Sequence, residues 1–81
     1  MPPIVFSPNA EKDFRKLNII NQKKVYKKVK TLKSAPLAGK LLSGKLKGIR
    51  SLRAWPYRII YEIGKEQVNI LQIIHRQAAY K

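Results

Sequence analysis

The chain has 81 residues, 44% of them hydrophobic, and sets 18 lysines and arginines against four acidic residues, for a formal net charge of +14. That length makes one small domain over residues 1–81, burying about 60–65% of its unfolded surface. No apolar run nears the ~18–20 residues of a membrane span. One histidine, four scattered acids and no cysteine cannot readily build a disulfide framework or a closed metal site, so neither metal nor cofactor is expected. Met1-Pro2-Pro3-Ile4-Val5-Phe6 lacks the basic start of a secretory signal, which makes the cytoplasm the expected compartment. The charge draws polyanions, with nucleic acid ahead of an acidic protein and of an anionic membrane.

In chain order, Ile4-Val5-Phe6 reads as a first short strand. Ser7 then offers an N-cap and Pro8 a first helical residue, with Glu11 and Asp13 near the end of the helix dipole that favours acids. Ala10, Phe14 and Leu17 make one apolar stripe, predicting a helix from about Pro8 to Leu17. Asn18 and Asn21 bracket a break. Val25, Val29 and Leu32 predict a second helix from about Ile20 or Asn21 to Lys33. Its other faces carry Lys23, Lys24, Lys27, Lys28, Lys30 and Lys33, which is either a solvated surface or a rail for a phosphate backbone. Pro36 stops this helix, because the residue before a proline resists the α conformation. Leu37 to Gly48 is a connector without clear periodicity.

A strand is predicted after Gly48, a bend at Trp55-Pro56, and a second strand from Tyr57. Tyr57, Ile59, Tyr61 and Ile63 alternate with Arg58, Ile60 and Glu62 on the other face. Gly64-Lys65-Glu66 is a turn, and Gln67 to Ile74 a further strand, dense enough in aliphatics to be buried on both faces for part of its length. His75 to Lys81 follow directly. The order β-α-α-β-β-β is that of an α+β domain, with a helix hairpin packed on a small, mainly antiparallel sheet. Trp55 either caps the sheet edge or stands exposed as a stacking platform.

Three parts of the chain resemble the RelE/ParE toxin superfamily of bacterial type II toxin–antitoxin modules. They are Leu46-Lys47-Gly48-Ile49-Arg50-Ser51-Leu52-Arg53, Tyr57-Arg58-Ile59-Ile60-Tyr61-Glu62-Ile63, and Ile73-Ile74-His75-Arg76 with Tyr80. With the element order, the resemblance spans nearly the whole chain. It implies one of two activities: RelE-like members cut messenger RNA in the ribosomal A site without a metal, whereas ParE-like members inhibit DNA gyrase and cleave nothing. It also implies a small, acidic cognate antitoxin.

By position, Arg58 and Arg76 match the functional arginines of the superfamily's RNases, and Tyr80 matches their terminal tyrosine. The best-known RelE pattern has two lysines on the strand where this chain has Ile49 and Ser51. Other RNase members use histidine, a role His75 could fill. Metal-free RNA cleavage needs a base for the 2′-hydroxyl, cations for the charged phosphorane and help for the leaving oxygen. His75 is the side chain naturally poised for proton transfer near neutrality, and arginines suit a phosphate. The expected catalytic set is thus Arg58, His75, Arg76 and Tyr80, with Lys45, Lys47, Arg50 and Arg53 binding RNA. The guanidinium groups and the imidazole are expected around one pocket. The leading expectation is a ribosome-dependent mRNA endoribonuclease. A ParE-like gyrase inhibitor and a non-toxic nucleic-acid-binding module are the alternatives.

Overall fold

A computed structural model describes residues 3–42 and 48–79. The elements are β1 (Ile4–Phe6), α1 (Pro8–Arg15), α2 (Ile19–Thr31), β2 (Lys40–Leu41), β3 (Ile49–Ala54), β4 (Tyr57–Ile63), β5 (Val68–His75) and α3 (Arg76–Ala79). The five strands form one mixed sheet in the order β1-β5-β4-β3-β2, with β1 parallel to β5 and the other pairs antiparallel. The expected order holds, with two additions that carry little periodicity: the two-residue β2 and the single-turn α3.

The caps act as the residues dictate. Ser7 Oγ accepts from the Ala10 N–H at 3.1 Å and donates to the Leu71 carbonyl at 3.0 Å, so one hydroxyl starts α1 and ties it to β5. Asn18 Oδ1 accepts from the Asn21 N–H at 2.9 Å and starts α2 at Ile19, ahead of the Ile20 or Asn21 that periodicity indicates. Asp13 does more than complement the helix dipole. Its Oδ2 accepts from the Ile73 N–H at 3.1 Å, just beyond an irregularity that shifts the β4–β5 register between Ile60 and Tyr61.

One sheet face is covered by α1 and α2. Ala10, Val25, Val29 and Leu32 meet Leu52, Ala54, Ile59, Tyr61, Val68, Ile70 and Ile73 in a single core. Burying each of the larger aliphatic side chains contributes about 1.5–3 kcal/mol. Tyr61 is fully buried there, and its hydroxyl is spent on the connector: it donates to the Pro36 carbonyl at 2.7 Å and accepts from the Gly39 N–H at 2.9 Å. Arg50 Nη1 closes the same junction by donating to the Gly39 carbonyl at 2.9 Å. A Cβ on Gly39 would fall 2.6 Å from the Tyr61 ring, which explains the glycine. No helix among the described residues is long and apolar enough to cross a membrane.

Candidate functional site

The ladder sorts the candidate residues by face, because directly paired residues share a face and neighbours along a strand alternate. Leu52 pairs with Ile59, Ala54 with Tyr57 and Arg50 with Tyr61, which puts Arg50 on the helix side. Arg53 pairs with Arg58, Ser51 with Ile60 and Ile49 with Glu62, all on the open side. Across the other ladder, Arg58 pairs with Ile74, and Tyr57 with His75. His75 therefore lies on the helix side. Its ring stands edge-on to Tyr57, with centroids 5.4 Å apart, and its Nδ1 accepts from the Gln77 N–H at 3.3 Å.

The single pocket expected from the sequence is corrected on two counts. His75 is separated from Arg53 and Arg58 by the sheet, because the extra residue at the β4–β5 irregularity puts Ile73 and His75 in phase with the core. Arg50 is a clasp on the 36–41 connector instead of a cation on the open face. Arg76 does join Arg53: their guanidinium carbons lie 4.6 and 5.3 Å from the centroid of the Trp55 ring. Lys45, Lys47 and Tyr80 lie outside the described residues. The lysines of α2 are exposed, and Lys30 Nζ sits 5.8 Å from the Tyr26 ring centroid.

The centre of the open face is aliphatic. Ile49, Ile60, Leu71 and Ile74, with Leu42 at the margin, line a groove of about 560 Å³ together with Ser51 and three further polar residues, Ser7, Asn9 and Gln72. Ser51 is 7% exposed, and its hydroxyl has no hydrogen-bond partner among the described residues. The carboxylate on this face, Glu62, accepts from Asn69 Nδ2 at 3.3 Å and stands four strand residues, about 13 Å, from Arg58. Sequence reasoning passed over this groove, although Ile60 gave the signal: it is an isoleucine between Arg58 and Glu62 on the polar-marked face of β4.

What the face can do chemically follows from its lining. Arg53 and Arg58 lie directly opposite each other, an arrangement of like charges that costs stability. They make one end of an otherwise apolar trough cationic. A partner with an apolar ridge, one polar contact to Ser51 and an acidic end would match it. No group of His, Cys, Asp or Glu among the described residues could hold a metal ion.

Residues 4–80 match the family model for the ParE toxin of the type II toxin–antitoxin system parDE. No curated protein matches the sequence. Among solved structures, the chain is similar to one from the RelBE2 toxin–antitoxin complex of Mycobacterium tuberculosis, at 32% identity and a TM-score of 0.84, covering 94% of this chain and 100% of that one. It shares the fold of the isolated RelE toxin of E. coli (23% identity, TM-score 0.76, 93% and 84% covered). It shares it also with a chain of the YoeB–YefM complex of Staphylococcus aureus (21% identity, TM-score 0.76, 93% and 97% covered). With the match to the ParE toxin model running from residue 4 to residue 80 and the helix-covered five-stranded sheet of these toxins in place, the chain belongs to the RelE/YoeB/ParE family of toxins from type II toxin–antitoxin systems.

Proposed function

We propose that this toxin arrests its target by docking on it through the open sheet face, without cutting RNA, and that the target is DNA gyrase, as for the ParE-like branch. The observation that carries the reading is the aliphatic centre of that face. Ile49, Ser51, Ile60 and Ile74 stand where an RNase would need cations and a proton-transfer group, and His75 packs on the opposite side against Tyr57. Guanidinium groups can neutralise a phosphate, but they stay protonated at neutral pH and make poor general bases. An apolar trough bordered by cations suits a protein surface instead.

A gyrase supercoiling assay with purified toxin tests this. Inhibition that is lost when Ile60 is replaced by Asp, in a protein that still folds, supports docking on this face. Full supercoiling at saturating toxin rejects gyrase as the target.

The RelE-like reading keeps one specific support, the placement of Arg53 and Arg58 on one face with Arg76 at the same end of the sheet. In that reading Arg58, Arg76 and Tyr80 would act on messenger RNA at the ribosome. Toxin added to a translating extract would then leave cuts within codons, and Arg58→Ala would abolish them. Under either reading the chain works as one cytoplasmic domain held in check by a cognate antitoxin. Formal charge of +14 favours an acidic one, whose association is fast and weakens with salt. Unchanged growth on induced expression would leave only a non-toxic binding module.

A further inference from the structure

The outward surface of α2 carries more than solvated lysine. Val25 and Val29 turn into the core. On the opposite side Ile19, Lys23, Tyr26 and Lys30 follow one another at i, i+4, i+7 and i+11, with Ile20 and Lys27 beside them. Ile19 is 63% exposed, Ile20 71% and Tyr26 53%, at positions that a surface helix ordinarily gives to polar residues. Side chains that exposed project from the surface and line no groove. Both isoleucines lie in the first turn of α2, at its corner with α1. The Asn18 cap holds that corner, and so does the bond that Gln22 Nε2 donates to the Phe14 carbonyl at 3.1 Å. The lysines of this strip are exposed and α2 contains no acidic residue. On the neighbouring α1, Glu11 is paired with Arg15 at 3.6 Å. The strip is thus cationic and apolar together, on a rigid helix.

We propose that this strip docks the toxin on an anionic lipid membrane, with Ile19 and Ile20 entering the acyl boundary, Tyr26 at headgroup level and Lys23, Lys27 and Lys30 against the negative headgroups. A lipid surface supplies both halves of the match, negative charge outside and an apolar layer directly beneath it. Lysine suits such a place because its stem lies along apolar surface while its charge stays in water. Nucleic acid would satisfy the lysines and leave the isoleucines in water. A protein partner would need a cavity to receive two projecting side chains. The strip lies on the helix side of the sheet and uses none of the groove residues, so it stands or falls separately from docking through the open face.

Sedimentation of the purified toxin with lipid vesicles tests this. It should bind phosphatidylcholine vesicles that contain phosphatidylglycerol and should not bind phosphatidylcholine alone. A formal charge of +14 draws the chain to any anionic surface, so the isoleucines decide. Replacing both, Ile19→Ser with Ile20→Ser, keeps the charge and should weaken binding about tenfold or more while leaving the thermal melt unchanged. Leu37→Ser, at a residue 67% exposed beyond the other end of α2, should leave binding as it is. The chain has no cysteine, so Ile19→Cys takes a single environment-sensitive dye. Its emission should shift to the blue on the anionic vesicles, whereas the same dye on Leu37→Cys should not respond. No binding to anionic vesicles, equal affinities for the double variant and the parent, or the same dye response at both positions would each overturn the proposal. An acidic amphipathic peptide whose binding needs the two isoleucines, when vesicle binding does not, would overturn it in favour of a protein partner.

Discussion

Replacing Ser51 by alanine is expected to make the toxin more stable and less potent at once. The Ser51 side chain is buried in the floor of the open-face groove, and its hydroxyl finds no partner among the described residues. A buried hydroxyl left unpaired costs about 1–3 kcal/mol, and alanine removes the cost while changing the volume by one oxygen. A net gain of about 1 kcal/mol follows, worth about 4–8 °C in melting temperature for a domain of this size. Urea and thermal unfolding of the purified variant read it directly. The bound state should move the other way, because a partner that pairs with this hydroxyl loses a hydrogen bond worth about 0.5–1.5 kcal/mol. Growth arrest on induction should therefore weaken. A Ser51→Ala variant that melts at or below the parent temperature would show that the hydroxyl is satisfied in solution, and the reasoning about the groove floor would fail.

Tyr61→Phe should strand the buried Gly39 N–H and remove a donor from the Pro36 carbonyl. The cost is about 2–4 kcal/mol against a total of about 4–12 kcal/mol expected for a chain this long, visible as a large drop in the urea midpoint. Gly39→Ala should cost about 1–3 kcal/mol, because its Cβ would meet the Tyr61 ring at 2.6 Å; a thermal melt equal to the parent's would contradict that packing. Asp13→Ala should leave the Ile73 N–H without its carboxylate. It should lower stability by about 1–2 kcal/mol and speed hydrogen exchange at the Ile73 amide, with Asp13→Asn retaining part of the protection.

The fold was legible in the sequence because its signals are local. Ser7-Pro8 and Asn18 cap their helices as such residues do, Val25, Val29 and Leu32 keep helical spacing, and the run from Tyr57 to Ile63 alternates cleanly. What sequence reasoning missed depends on register. A shift of one residue moves every later side chain to the other face, and the irregularity opposite Ile60 and Tyr61 turns His75 away from Arg58. A strict alternation from Val68 would have put Ile74 with the core and His75 on the open side. Arg50 was misjudged for a related reason: its place on the helix side depends on pairing with Tyr61, and the Gly39 carbonyl that it holds belongs to a connector with no periodic pattern. Residues of the same basic type thus split into a structural clasp, Arg50, and open-face cations, Arg53 and Arg58.

Docking and cutting separate most directly in cells. The toxin is induced until growth stops, and the 5′ ends of messenger RNA are mapped at that moment. Docking predicts arrest with transcripts intact. Arrest accompanied by new ends phased to codons, and absent with Arg58→Ala, would contradict it and return the open face to RNA cleavage.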